Sequence, residues 1–197
     1  LEKYAQCPYP KDGRLVFLSV FRLMPYKGVE ELLAAIPVIC KEYPGAVFQL
    51  LGAYEPESRQ RYEPRIRDLQ AAGFLEYYGY RDDVVDFMRN CHALVHPTYS
   101  EGMSNVLLEA AAVGRPLLAS NINGCREIFE AGISGIAFTP KSAVALTEAL
   151  RHFLSLSYED KKRMGEEARR HVEAGFDRKD VINAYLETLE AALSAGD

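Results

Sequence analysis

The chain has 197 residues, of which 48% are hydrophobic and 26% are charged, and its formal net charge is −5. This length and composition are typical of a single packed globular domain. The acidic balance argues against a nucleic-acid-binding or anionic-membrane surface, unless basic residues gather locally.

The cysteines favour reduced, structural thiols in a cytosolic setting over a disulfide framework or a zinc site, because none of them forms a C-x-x-C pair. No run of 18 apolar residues and no basic-then-apolar leader occurs in the sequence. The sequence begins with Leu1 instead of Met, so we expect a fragment of a longer protein. The four cysteines are Cys7, Cys40, Cys91 and Cys125.

Short apolar runs alternate along the chain with longer helical patterns. Nearly continuous hydrophobicity, which is typical of parallel strands covered on both faces, predicts strands at 14–20, 46–52, 74–79, 93–97, 116–120 and 135–138. Helices are predicted between them at 28–42, 57–72, 82–91, 103–114 and 124–131, and after the last strand at 141–156, 158–174 and 178–195.

This alternation predicts an α/β fold with a doubly wound, six-stranded parallel sheet of the Rossmann-like type and extra helices at its carboxyl-terminal end. Residues 1–13, which contain two prolines and Gly13, are predicted to be a linker or lead-in. Residues 14–197 are predicted to form one domain. Ligands of such sheets bind beyond the carboxyl ends of the strands, where helices begin.

The stretch "SEGMSNVLLEAAAVGRP" at residues 100–116 lies at such a position and contains two glutamates, Glu101 and Glu109, that are eight positions apart. Gly102 allows a ligand to approach the backbone closely, and free amides near Met103 and Ser104 suit phosphate oxygens. Asn105 opens the helix, and Glu109 suits the hydroxyls of a sugar. The alternative is an ordinary helix start, with Ser100 as N-cap and both glutamates solvated.

Several motifs in the chain together resemble the donor-binding half of retaining glycosyltransferases of family 4, which have the two-domain GT-B architecture. Glu101 and Glu109 correspond to the E-x7-E motif of that family. Further matches are "GRPLLAS", "GCRE" at residues 124–127, and "FRLMPYKG" at residues 21–28, and the resemblance spans residues 14–195.

Arg22 and Lys27 lie on either side of the loop "LMPY", which we take to be exposed. A planar guanidinium and an ammonium could together offset a diphosphate. The alternative is two solvated cations. The resemblance implies that both hold the donor's diphosphate and stabilise it as it leaves, and that Glu101 contacts the transferred sugar. The family usually has glycine where this chain has Phe21, and Phe21 is expected either to narrow the cleft or to alter contacts with the missing partner domain.

By the same resemblance, Gly79, Tyr80 and Arg81 present backbone groups to the nucleotide base, and Gly52 lies beside the base or the ribose. Either glycine could instead be a plain turn residue. Asp82 and Asp83 resemble a metal-binding D-x-D motif, but they are better interpreted as N-capping acids. His96 closes a strand beside the site, and we interpret it as a packed neighbour.

The resemblance implies a retaining glycosyltransferase that moves a hexose or N-acetylhexosamine from a nucleotide-diphosphate sugar, with UDP favoured over GDP. The acceptor would be a glycan or a sugar on a polyprenyl-diphosphate lipid, in bacterial capsule or exopolysaccharide synthesis. The expected location is cytoplasmic, with the full-length protein at the inner membrane face. Neither a cofactor nor a metal is expected, because the cations and helix amides supply the charge.

The acceptor-binding amino-terminal domain of such enzymes has no counterpart in these 197 residues. We therefore expect nucleotide binding without measurable sugar transfer, and an exposed patch near Phe21, Pro25 and Tyr26. A sugar-nucleotide epimerase of GT-B type and a non-catalytic nucleotide-sugar-binding domain remain as alternatives. A nicotinamide dehydrogenase is disfavoured, because no G-x-G-x-x-G follows the first strand.

Overall fold

The structure is a computed structural model, and it describes residues 4–11, 13–176 and 186. Six parallel strands form one sheet in the order β3-β2-β1-β4-β5-β6. All six predicted strands are confirmed to within one residue at each end. Their bounds are β1 Leu15–Val20, β2 Ala46–Leu51, β3 Leu75–Gly79, β4 Ala93–His96, β5 Leu117–Ser120 and β6 Gly135–Phe138.

Six α-helices and one 3-10 turn surround the sheet in the described part of the chain. Two of these helices begin at serine caps, where Ser142 and Ser157 accept hydrogen bonds from the amides of Ala145 and Asp160. The turn is Pro25–Lys27, and the helices are α1 Val29–Glu42, α2 Pro56–Ala71, α3 Val84–Asn90, α4 Asn105–Ala112, α5 Ala143–Ser155 and α6 Tyr158–Gly175.

The predicted helix at 124–131 is wrong, because this segment consists of turns. Gly124 has a φ of 83°, a left-handed conformation that does not continue a helix, and its amide donates to the Glu127 carboxylate at 2.8 Å. The chain therefore crosses from β5 to β6 without a helix. The predicted helix at 178–195 lies outside the described residues, apart from Leu186.

The sheet is covered on both faces, as the doubly wound prediction requires. On one face, Phe17 stacks on Phe48 with ring centroids 5.0 Å apart and meets Phe153 of α5 edge-on. Its neighbour along β1, Leu18, belongs to the opposite cluster, which includes Leu107 of α4. Successive residues of a strand face opposite sides, so burial on both faces explains why β1 is almost uniformly apolar.

The strand order reverses between β1 and β4. The chain adds β2 and β3 on one side of β1, then returns to add β4, β5 and β6 on the other. A reversal of this kind leaves a crevice at the carboxyl ends of the two central strands, because the loops leaving them go to opposite sides. The residues after β1 and β4 are therefore brought together at one edge of the sheet.

Gly52, which follows β2, lies against the backbone that follows β1. Its φ is 138°, and a β-carbon placed there would lie 1.8 Å from the carbonyl oxygen of Phe21. The Phe21 amide in turn donates to the carbonyl of Leu51 at 3.0 Å. Glycine at this position therefore permits the loops after β1 and β2 to pack together.

Gly52→Ala should lower the free energy of unfolding by about 2–5 kcal/mol, because it adds backbone strain of about 1–2 kcal/mol to a steric clash of about 1–3 kcal/mol. Gly73→Ala is the matched control, since Gly73 has a φ of 74° but nothing within 4 Å of a β-carbon. It should cost about 1–2 kcal/mol. Denaturant unfolding measures both, and equal losses would contradict the close approach at Gly52.

Candidate functional site

A cavity of about 470 Å³ opens at the carboxyl ends of β1 and β2. Four of the residues selected from the sequence, Arg22, Tyr80, Arg81 and Glu109, line this cavity together. Gly52 also lines it, as does Tyr4, which the sequence did not indicate. The remaining lining residues are Val20, Phe21, Leu51, Ala53, Asp82, Val84 and Val85.

Glu109 lies on the cavity side of α4, and one of its oxygens is held by the chain itself. The hydroxyl of Tyr4 donates to Oε1 of Glu109 at 2.6 Å. Burial and, after it, the Glu109 carboxylate raise the pKa of Tyr4 to about 12, so its proton stays in place at neutral pH. Glu109 is therefore a fixed acceptor facing the cavity and not simply a solvated surface residue.

The loop after β3 forms the outer rim of the cavity. Tyr80 is 73% exposed there. Both oxygens of Asp83 accept hydrogen bonds from Arg81, at 2.8 and 2.6 Å. Asp83 occupies the N-cap position of α3, as predicted, but its carboxylate pairs with Arg81 and makes no capping hydrogen bond. Gly79 does not line the cavity; its carbonyl accepts from the amide of Gly52 at 2.7 Å.

A second polar cluster forms where β4 ends. Oε1 of Glu101 accepts hydrogen bonds from Nζ of Lys27 and from Nε2 of His96, the latter at 3.1 Å. His96 Nε2 also lies 3.2 Å from Oγ of Ser104. The Lys27 and Glu101 side chains are only 15% and 16% exposed. From the sequence, we expect the loop that carries Lys27 to be exposed. In the structure, Lys27 is instead part of a largely buried ion pair.

The charges in this cluster are fixed by its hydrogen bonds. Burial alone would raise the pKa of Glu101, but the hydrogen bonds from His96 and Lys27 outweigh it and lower the pKa to about 2. Burial lowers the pKa of His96. At neutral pH the cluster therefore holds an ionised Glu101, a charged Lys27 and a neutral imidazole that donates through Nε2.

The helix that carries Glu109 begins at Asn105, as expected from the motif and two residues inside the range 103–114. The amide of Ser104 donates to the carbonyl of Gly124 at 2.9 Å, so the expectation that it is free is wrong. The amides of Asn105 and Val106 find no acceptor among the described residues, as expected in a first helical turn. A β-carbon at Gly102 would meet nothing within 4 Å, and Met103 is 47% exposed, so this loop is open to a ligand.

Two glycines hold the cluster together. Gly28 has a φ of 72°, and a β-carbon there would lie 2.0 Å from the carbonyl oxygen of Pro97. A β-carbon at Gly124 would lie 2.6 Å from the carbonyl oxygens of both Glu101 and Gly102. Any other residue at either position would push the loops apart. Sequence analysis noted both glycines as parts of motifs but did not identify these contacts.

Arg22 and Lys27 hold different carboxylates. Arg22 pairs with Glu55 at 3.1 Å and its side chain is 64% exposed, whereas Lys27 pairs with Glu101. Phe21 is only 7% exposed and packs near His96, with ring centroids 6.3 Å apart. The expected exposed patch therefore excludes Phe21 itself, although Tyr26 is 39% exposed.

Two features are absent from the described residues. No group of three or more His, Cys, Asp or Glu side chains among them could hold a metal ion. None of the helices they form is both long enough and apolar enough to cross a membrane.

The chain matches the family of glycosyl transferases group 1 over residues 5–171. The match covers well over half of the 197 residues, so the chain belongs to this family. The six-stranded parallel sheet agrees with the carboxyl-terminal domains of GT-B glycosyltransferases.

Individual proteins similar to this chain are also glycosyltransferases. A glycogen synthase of Mycobacterium tuberculosis is 29% identical over 187 residues, covering 93% of this chain and 44% of the relative. The N,N'-diacetylbacillosaminyl-diphospho-undecaprenol alpha-1,3-N-acetylgalactosaminyltransferase of Campylobacter jejuni is 29% identical over 153 residues, covering 77% and 37%. The chain thus spans less than half the length of these curated relatives.

Among solved structures, Anabaena Alr3699/HepE in complex with UDP and glucose is similar in fold. The TM-score is 0.80 at 22% identity, and the alignment covers 90% of this chain and 48% of the other. At this identity the likeness supports the fold alone.

The stability of the chain should depend on pH through Glu101. Its pKa is about 2 in the folded chain, against an ordinary value of 4.5. Its contribution to the free energy of unfolding is therefore present above pH 4.5 and is lost as the pH falls towards 2. When the pH is lowered from 5 to 3, the free energy of unfolding of the wild-type chain should fall by about 2 kcal/mol more than that of Glu101→Gln. Urea unfolding at the two pH values measures this difference.

Glu63→Gln is the control, because Glu63 forms an exposed pair with Arg59 at 3.7 Å on α2. Exposed ion pairs contribute little to stability, so the free energy of unfolding of this variant should fall with pH as it does in the wild-type chain. If Glu101→Gln also followed that decline, the buried ion pair would not exist in solution.

Proposed function

We propose that the chain is the donor-binding domain of a retaining glycosyltransferase of family 4 that uses a nucleotide-diphosphate sugar, most simply a UDP-sugar. One observation carries the proposal: a cavity lined by Glu109 lies beside a buried ion pair that contains Glu101, and a single loop and helix supply both glutamates. This arrangement suits a ligand that has both a hydroxyl-rich half and an anionic half.

The nucleoside would occupy the 470 Å³ cavity. Glu109 would accept hydrogen bonds from the ribose hydroxyls through lone pairs that Tyr4 leaves available. The rim formed by Tyr80 and Arg81 would lie beside the base. An exposed aromatic ring and a nearby guanidinium both favour contact with the face of a planar base.

The diphosphate would lie between the cavity and the buried cluster. The exposed Arg22 guanidinium reaches it from the β1 loop, Lys27 from the turn before α1, and the amides of Asn105 and Val106 from the start of α4. Cations and helix amides stabilise negative charge, most effectively where water is excluded. We therefore propose that no metal is needed.

Transfer would break the bond between the anomeric carbon and the diphosphate oxygen and form a bond to the oxygen of an acceptor hydroxyl, whose proton would pass to the leaving diphosphate. The charge that develops on the leaving diphosphate would be offset by Lys27 and Arg22. Glu101 would contact the donor sugar, since it lies in the open loop that precedes α4. The transferred group would be a hexose or an N-acetylhexosamine.

The acceptor would be a glycan or a lipid-linked sugar in polysaccharide biosynthesis, in the cytoplasm at the inner membrane face. The printed name of the Campylobacter relative contains a diphospho-undecaprenol acceptor, which supports this choice. An amino-terminal domain would hold that acceptor, since the relatives are more than twice the aligned length. The 197 residues alone should then bind nucleotide without transferring sugar, because transfer depends on positioning both substrates.

Lys27→Ala should weaken UDP binding by about 1.5–3 kcal/mol in calorimetry, because a charged hydrogen bond to the diphosphate is lost. The uncompensated Glu101 carboxylate would also repel the ligand. Lys41→Ala is the control, since Lys41 is an exposed cation in the last turn of α1, and it should bind UDP like wild type. Unchanged UDP affinity in a folded Lys27→Ala chain would refute the diphosphate contact.

The two glutamates should act on different parts of the ligand. Glu109→Gln should weaken the binding of uridine, UDP and UDP-glucose alike, because all three carry the ribose. Glu101→Gln should weaken UDP-glucose binding much more than UDP binding, because only UDP-glucose loses the sugar contact. Calorimetry with the three ligands distinguishes these patterns, and a Glu101→Gln variant that lost UDP and UDP-glucose equally would contradict this division.

A further inference from the structure

Segment 4–11 contributes a side chain to the proposed nucleotide cavity, although it precedes the first strand. Tyr4 lines the cavity and donates its hydroxyl proton to Oε1 of Glu109 at 2.6 Å. The two residues are 105 positions apart in sequence. A hydrogen bond to a carboxylate is strong and directional, so this contact restricts how the Glu109 carboxylate can rotate.

The backbone of Tyr4 is itself anchored to the helix that carries Glu109. Nη1 of Arg169, on α6, donates to the carbonyl of Tyr4 at 2.7 Å and also to the carbonyl of Ala112. Ala112 is the last residue of α4, three positions after Glu109. The Arg169 side chain is only 12% exposed, and Glu173 pairs with it at 2.6 Å. Tyr4 is therefore tied to α4 at its backbone and at its hydroxyl.

The rest of the segment is held independently of the cavity. Nη2 of the fully buried Arg115 donates to the carbonyl of Pro8 at 2.9 Å and contacts Sγ of Cys7. The hydroxyl of Tyr9 donates to the carbonyl of His92 at 3.0 Å. Removing the Tyr4 hydroxyl would thus release the carboxylate of Glu109 while these anchors stay in place.

We propose that Tyr4 is a positioning residue that fixes Glu109 for the hydroxyls of the nucleotide ribose, so that it determines the preference of this domain for ribonucleotides over deoxynucleotides. This inference depends on the proposed function. Tyr4 uses one lone pair of the carboxylate and leaves the others for the ligand. A preoriented acceptor loses less rotational entropy when the ligand binds.

The test compares UDP with 2′,3′-dideoxyuridine 5′-diphosphate, which lacks both ribose hydroxyls, by calorimetry on the 197-residue chain. Tyr4→Phe should raise the Kd for UDP about fivefold to tenfold, the range for a weakened charged hydrogen bond. The Kd for the dideoxy analogue should stay within about twofold of wild type, because that ligand makes no contact with Glu109. Unchanged binding of the analogue also shows that the variant is folded.

Two further variants distinguish positioning from a general structural role. Tyr9→Phe removes a hydroxyl from the same segment without touching Glu109, so both Kd values should stay as in wild type. In a Glu109→Gln background, where the carboxylate is already absent, Tyr4→Phe should have no further effect on UDP binding.

The inference is overturned if Tyr4→Phe weakens both ligands equally, binds UDP like wild type, or binds UDP more tightly, since the last result would mean that Tyr4 competes with the ribose. It is also overturned if the effects of Tyr4→Phe and Glu109→Gln simply add. A wild-type chain that binds neither ligand would instead refute the proposed function, on which the inference rests.

Discussion

The site depends on the close backbone approach between the loop after β1 and the loop after β4. Gly28 makes this approach possible, because a β-carbon there would lie 2.0 Å from the carbonyl oxygen of Pro97. The approach places Lys27 against Glu101, and Gly124 in turn places the β5–β6 turns against the same glutamate. The Lys27 ammonium, which the proposed chemistry needs, is thus positioned by loops that pack closely because these glycines have no side chain.

Burying Lys27 and Glu101 is costly, because each loses its hydration. The structure offsets this cost by concentrating donors on one carboxylate oxygen: Oε1 of Glu101 accepts from both Lys27 and a neutral His96. His96 has to be neutral in this cluster, because a charged His96 and Lys27 would be two buried cations with a single carboxylate to neutralise them. These hydrogen bonds hold the charges of the cluster in place, and prepositioned charges are what electrostatic catalysis requires.

The sequence predicted the sheet well, because continuous apolar runs directly reflect burial on both faces. It failed at 124–131, where a carboxylate bound to the amide of Gly124 competes with helix formation. It also missed the burial of Lys27 and the contact between Tyr4 and Glu109, because these join residues 74 and 105 positions apart. Local sequence patterns identify which residues belong to a site, but long-range contacts such as these determine where the side chains lie. The roles of the site residues stay predictions.

The two halves of the site differ in how much water they exclude, and this difference has a chemical consequence. The cluster around Glu101 is largely buried, whereas Arg22 is 64% exposed and pairs with Glu55 at the surface. An exposed ion pair exchanges partners at little cost, so Arg22 can move to an incoming anion, while Lys27 cannot leave Glu101 without exposing a buried charge. In the proposed function, a diphosphate would contact Arg22 first, and Lys27 would donate a second hydrogen bond to it without leaving Glu101 once water has been displaced from the cluster. Lys27 would stabilise the diphosphate most strongly only if the open side of the site were covered and water were excluded.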